Sequence, residues 1–243
     1  MSGTVQAPAR GLFIAGTDTG VGKTRLVAGL LRALRNAGWQ AAGMKPVATG
    51  AARTAMGFIS EDATIIGAES TLIATKSDLR ADINPYCFEP PVSPHIAAQK
   101  AGISIETERI CASFARLAGR CDVVIVEGTG GWLAPTGPRT TMADIGLALG
   151  LPVILVVGVR LGCLNHALLS VESIVRAGAR LYGWVGNLID PGMAALTDNV
   201  ATLGERIPAP RLGLLANAPD VTGDALELAA LARKLMSELG PAP

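Results

Sequence analysis

The chain has 243 residues, 49% of them hydrophobic and 17% charged, with a mean hydropathy of +0.40. That apolar content offsets the entropy of ordering a core and excludes a disordered chain, while the length fits one large domain or two small ones. Twenty-one basic residues against twenty acidic ones leave a net charge of +1, too little to build the field that holds nucleic-acid backbones or anionic lipid.

Residues 1–10 (MSGTVQAPAR) lack the apolar core of a secretory signal and are expected to be a flexible N-terminus ahead of a single domain over 11–240. Short β-branched runs then alternate with longer amphipathic stretches. The strands expected are 12–15, 41–46, 123–127, 153–157, 181–188 and 211–215; the helices are 23–36, 106–118, 165–177 and 225–239. The strand runs are apolar without alternation, which implies a sheet buried on both faces. The fold class is therefore α/β, a mostly parallel sheet with helices on both faces, of the P-loop NTPase type.

The first strand runs into residues 16–24 (GTDTGVGKT), and a helical pattern follows. Strand, glycine loop and helix is the context that a phosphate cradle needs: backbone N–H groups converge on the anion and the helix N-terminus adds a favourable dipole. Lys23 brings a mobile charge and Thr24 a hydroxyl for Mg²⁺. The spacing is a variant, because the strict G-x-x-x-x-G-K-[ST] pattern would put a glycine at Thr17, whereas Gly16 precedes Gly22 by six positions.

Between residues 50 and 104 the periodicity weakens, and Pro85, Pro90, Pro91 and Pro94 crowd together, as in a segment that carries function or covers a site. Asp62 stands at an expected helix start, where an acid also simply favours the dipole. Glu127 ends a buried strand and precedes Gly128, at the carboxyl end of the sheet, where open α/β folds bind ligands. Residues 145–159 form the longest uncharged apolar run, but 15 residues fall short of the roughly 20 that span a bilayer. Residues 161–165 open a helix whose amides suit a carboxylate. Four scattered cysteines, Cys87, Cys111, Cys121 and Cys163, and only two histidines, His95 and His166, read as buried thiols in a reducing compartment and not as a zinc cluster. Cys163 reads as a small buried residue in a tight turn, not a nucleophile.

Six segments in order, 16–24 (GTDTGVGKT), 45–50 (KPVATG), 84–95 (NPYCFEPPVSPH), 127–132 (EGTGGW), 158–166 (GVRLGCLNH) and 183–187 (GWVGN), resemble the dethiobiotin synthetase family over residues 11 to 215. The resemblance implies a cytoplasmic ligase that uses ATP, Mg²⁺ and CO₂ to close the ureido ring of dethiobiotin on 7,8-diaminononanoate. It makes Lys45 and Lys23 catalytic cations and Thr19 a loop hydroxyl near the reacting groups. Thr24, Asp62 and Glu127 become the Mg²⁺ ligands. Nucleotide contacts fall on Gly20, Val21, Gly22, Lys23, Thr24, Arg25, Asp62, Glu127, Gly128, Thr129 and Gly130. Asn187, with Leu188, becomes the adenine reader, and Ala216, Asn217 and Ala218 the adenine-side loop. Thr49 and Gly130 contact substrate, and the carboxylate seat Leu161, Gly162, Cys163, Leu164 and Asn165 comes from the second subunit of a homodimer.

Three positions depart from the family: Gly20 stands where members carry glutamate, Thr49 replaces serine and Thr129 replaces alanine. A dimeric switch ATPase of the septum- or chromosome-positioning type is the alternative class, but such proteins need a second lysine early in the phosphate loop, and none stands between Gly16 and Gly22. Helix 225–239 carries mixed charge, not the basic face of a membrane anchor. An amidation ligase of the cobyrinate type would need an ammonia source, for which 243 residues leave no glutaminase segment.

Overall fold

The computed structural model describes residues 11–55, 57–72, 77–217 and 224–239; the expected flexible N-terminus, Ala218 and the C-terminal Pro241–Pro243 lie outside them. Six parallel strands form the main sheet: β1 (Gly11–Gly16), β2 (Ala41–Met44), β7 (Val123–Glu127), β8 (Val153–Gly158), β9 (Leu181–Asn187) and β10 (Arg211–Leu215), in the order β10-β9-β8-β1-β7-β2. Side chains alternate across a strand, and here both faces are covered. Leu12, Ile14, Val123, Ile125, Ile154 and Val156 pack against α1 (Lys23–Asn36), α2 (Glu61–Glu69) and α9 (Ala225–Leu239). Phe13, Val124, Val126, Val153, Leu155 and Val157 face the second layer, which includes α5 (Thr107–Ala118), α6 (Met142–Leu149), α7 (Cys163–Arg176) and α8 (Leu196–Arg206). That double coverage is why the strands read as unbroken apolar runs.

Several boundaries differ from the sequence reading. The strand expected over 41–46 stops at Met44, because Lys45 donates its N–H to Ile83 O at 2.7 Å and Pro46 has none to give. The chain then enters β3 (Val47–Ala48), which pairs with β6 (Tyr86–Cys87) in a separate ribbon. The helix expected from 165 begins at Cys163, since Gly162 adopts φ 92° and serves as its cap. The weakly periodic region is structured: a hairpin of β4 (Ala52–Thr54) and β5 (Gly57–Ile59), then α2, α3 (Ser77–Ile83) and α4 (Pro94–Ala101). Gly150-Leu151-Pro152 reads as a helix end followed by a strand, and α6 does end at Leu149 with Gly150 as its cap; α8 has no counterpart among the expected elements.

Register places the chemistry. Chain order reverses around β1, which lies between β7 and β8, so the crevice for ligands opens beyond its carboxyl end. Ile14 pairs with Glu127, and Met44 pairs with Val126. Lys45, the next residue after Met44, therefore emerges level with Glu127 on the neighbouring strand.

Candidate active site

The loop from β1 to α1 turns through two glycines at positive φ, Gly20 at 74° and Gly22 at 94°, a region costly for side chains with a Cβ. At Gly22 a Cβ would also collide with the Asn187 amide, so this glycine is fixed by close approach as well as by conformation. Around Gly20 there is open space within 4 Å of the place a Cβ would take. Lys23 curls back to donate to Asp18 O at 2.8 Å, and Arg160 holds the Asp18 carboxylate at 2.7 Å. Burial, then the nearby Lys45 charge, lowers the Lys23 pKa to about 8.

Lys45 is 3% exposed and Glu127 1%. The lysine donates to Glu127 Oε1 at 2.5 Å and pairs with Asp62 Oδ2 at 2.9 Å. Burial works against its charge, but Glu127 and Asp62 outweigh that and raise its pKa above the ordinary lysine value. Burial alone would push Asp62 up; Lys45, Thr24 and Lys23 instead hold its carboxyl below the usual range. For Glu127, burial pulls upward and Lys45 downward. We assign the pair as an ion pair, because the lysine is bonded to two carboxylates at once and is the group that stays charged.

Ser60 caps α2 by accepting from the Ala63 N–H at 3.3 Å, which brings Asp62 over the cleft. Thr24 Oγ1 lies 3.0 Å from Asp62 Oδ1 and 2.9 Å from Glu127 Oε1. Glu127 Oε2 is buried and has no hydrogen-bond partner among the described residues. A hydroxyl and two carboxylates, one with an orphaned oxygen, suit a hard cation such as Mg²⁺, which takes oxygen ligands and completes its shell with water and phosphate.

These groups line a cleft of about 830 Å³ together with Thr19, Gly20, Gly22, Arg25, Thr49, Thr129 and Gly130. Lys23 and Lys45 thus reach one cavity from different loops. Thr129, the departure from alanine, points its hydroxyl to Val47 O, tying the glycine loop to β3. Trp132 anchors the end of that loop, 2% exposed and edge-on to Phe13 with centroids 6.0 Å apart. Pro91, Val92, Ser93, Pro94, Gly131 and Ala134 also wall the cleft; none was named as a site residue from the sequence, although the proline cluster and the family-like segments 84–95 and 127–132 include all of them but Ala134. His95 faces Ser93, with Nδ1 3.1 Å from its hydroxyl.

Other expected contacts do not line the cleft. Val21 is buried, and Gly128 donates its N–H to Ile14 O at 3.0 Å, continuing the pairing of β7 with β1. Asn187 is 5% exposed and bonded to Arg25, which also donates to Ala216 O, and Leu188 donates to Leu215 O at 3.0 Å; Asn187, Leu188, Ala216 and Asn217 are not among the cleft's lining residues. Residues 161–165 also stand outside this chain's own cleft: Leu161 is 87% exposed, while Cys163 is 1% exposed under the helix start.

A parallel sheet ending in a glycine loop with Gly22-Lys23-Thr24, backed by an acidic strand end, defines a P-loop nucleotide-dependent enzyme. The AAA domain family model matches residues 10–225. Among solved structures, the MinC:MinD cell division complex of Aquifex aeolicus aligns with TM-score 0.60 at 17% identity over 97% of this chain and 99% of that one. A ParA family ATPase from Chlorobium tepidum gives 0.53 at 16%, over 96% and 94%. At those identities the likeness is one of fold. Sequence relatives are far nearer: ATP-dependent dethiobiotin synthetase BioD of Aromatoleum aromaticum is 48% identical over 92% of this chain and 97% of its own. The protein of the same name from Pseudomonas paraeruginosa is 46% identical over 86% and 90%. The chain belongs to the dethiobiotin synthetase family.

Proposed function

We infer that the chain is an ATP- and Mg²⁺-dependent cyclo-ligase that joins CO₂ and 7,8-diaminononanoate into dethiobiotin with release of ADP and phosphate. The observation that carries this reading is the convergence of Lys23 and Lys45 on one cleft beside Thr24, Asp62 and Glu127. Ring closure passes through anions throughout. One amine traps CO₂ as a carbamate, a carbamate oxygen attacks the γ-phosphate, and the second amine displaces phosphate from the mixed anhydride. Preorganised cations and backbone donors lower such barriers most.

Residues 20–25 cradle the phosphates, with Lys23 leaving Asp18 O to meet them. Lys45 holds the carbamate oxygens toward the γ-phosphate, and Thr19 and Gly128-Thr129-Gly130 flank the reacting groups. Thr24, Asp62 and Glu127 hold the Mg²⁺ ion, which neutralises phosphate charge when bound. Thr49 and Gly130 contact the diamine; Asn187 reads the base, with Leu188, Ala216 and Asn217 beside it. The exposed helix start 161–165 serves the cleft of a second copy, so the working unit is a homodimer in the cytoplasm, with residues 11–240 acting as one ligase domain. Among the described residues, no helix is long and apolar enough to cross a membrane.

The test is coupled turnover. ATP consumption is expected only with diaminononanoate, CO₂ and Mg²⁺ all present, with ADP and dethiobiotin formed one to one. Equal ATP hydrolysis without the diamine overturns the ligase reading.

A further inference from the structure

The end of the cleft toward Asn187 is filled by the protein itself. Arg25, one residue into α1 beyond Thr24, donates from Nη1 to Asn187 Oδ1 at 3.2 Å and to Ala216 O at 2.5 Å, the last at the end of β10. Its Nη2 pairs with Asp224, whose carboxylate also accepts from the Ala216 N–H at 3.0 Å. Both side chains are sheltered, 13% and 3% exposed. Asn187 Nδ2 meanwhile donates to Val21 O at 2.9 Å, so the amide is held at both ends. Arg25 lines the cleft while Asn187 and Ala216 do not, and its guanidinium bonds to both of them.

A guanidinium nitrogen and the exocyclic amine of a nucleobase are alike in being planar N–H donors. An amine that bonds to Asn187 Oδ1 and Ala216 O together has to occupy the point where Nη1 now lies. We propose that Arg25 is an internal stand-in for the nucleobase: in the nucleotide-free chain its guanidinium fills the base subsite, and an amino-bearing base binds there by expelling it. The proposal rests on the reading above that Asn187 takes the base. The exchange costs Asp224 its ion pair with Arg25 and releases Arg25 Nε, which is buried without a hydrogen-bond partner among the described residues. The amine inherits both acceptors, Asp224 keeps the Ala216 N–H, and Arg25 turns into the part of the cleft it already lines, beside the phosphates. A base carrying a carbonyl in place of the amine would set a lone pair against two acceptors and cannot replace the guanidinium.

The test measures equilibrium binding of ATP, ITP and inorganic tripolyphosphate, each with Mg²⁺, to the full chain; ITP differs from ATP at the exocyclic atom, and tripolyphosphate has no base. The native chain is expected to hold ATP about 10–100-fold more tightly than ITP. The ratio of the tripolyphosphate Kd to the ATP Kd cancels any loss of charge near the phosphates. In Arg25→Ala and Arg25→Lys this ratio is expected to rise about tenfold, since lysine keeps the charge but cannot span three partners. In Asp224→Asn, where the arginine's seat is loosened, it rises in the same direction. A ratio that is unchanged or falls in the Arg25 variants makes Arg25 a spectator or an ordinary ligand and overturns the proposal, as does equal affinity for ATP and ITP. If the Arg25 variants do not fold, an unchanged ratio in Asp224→Asn overturns it. Asn187→Ala separates the two layers: an unchanged ratio there removes the base from this subsite altogether, whereas a lowered one keeps the base in place and leaves the Arg25 result to decide.

Discussion

Replacing Lys45 by methionine, similar in length and uncharged, isolates the ion pair that the register of β2 and β7 creates. Glu127 is 1% exposed and loses its closest cation; Asp62, on the rim, keeps access to water. Breaking a buried pair by removing one partner costs about 3–5 kcal/mol, because the remaining charge is uncompensated. For a chain of this size each kcal/mol moves Tm by about 2–4 °C, so Lys45→Met is expected to melt about 6–20 °C lower at pH 7. Two further results follow from the same picture. Removing the orphaned charge in Lys45→Met/Glu127→Gln recovers most of the loss. Mg²⁺ raises the Tm of Lys45→Met more than that of the native chain, since the ion finds two carboxylates free of the lysine. The sign with pH is also fixed: once burial alone governs Glu127 its pKa rises, so the penalty is present at neutral pH and shrinks as the carboxyl takes up a proton in acid. Thermal melts followed by circular dichroism, with and without Mg²⁺, read all three. A Tm within about 2 °C of native, or strictly additive single and double substitutions, refutes the buried pair as the source of stability.

In steady-state kinetics and nucleotide binding, Lys45→Ala is expected to lose turnover far more than ATP affinity, whereas Lys23→Ala damages both; equal losses contradict that division. With its pKa lowered to about 8 by burial and by Lys45, Lys23 is largely neutral at pH 9 and regains its proton when phosphate oxygens surround it. Tripolyphosphate binding should therefore take up a proton above pH 8 and weaken as pH rises, seen by calorimetry in buffers of different ionisation enthalpy and absent in Lys23→Met. Without added phosphate ligands, the unfolded lysine holds its proton up to 10.5, so this group's contribution to stability rises with pH between about 8 and 10.5. Thr24→Val should raise the Mg²⁺ concentration needed for half-maximal activity by about tenfold, the worth of a lost charged-partner bond, while Thr24→Ser stays near native.

What could be read from the sequence was what local pattern encodes. β7 and β8 are β-branched runs and β1 an apolar one, all buried on two faces, and the phosphate loop sits between a strand and a helix, so these were legible without tertiary contacts. Glu127 was legible as an acid at a strand end. That Lys45 touches it was not, because this depends on Met44 lying beside Val126 across two strands 82 residues apart. The hairpin β4–β5 escaped notice for another reason: both strands are largely exposed, so they carry no apolar run. Arg25 was legible as part of the loop sequence, but its anchorage to Asp224 joins positions 199 residues apart and leaves no periodic trace.

That same hairpin has a practical bearing. It hangs between two fixed points: on one side the Ala51 N–H is donated to Phe88 O at 3.0 Å, and on the other Ser60 caps α2. Its own cross-strand pairs stop at Ala52 and Ile59. Asp62 and Lys45 are gripped from outside it, so the tip offers a place to graft a reporter or a short insertion that rides on the enzyme while the metal-binding carboxylates keep their geometry.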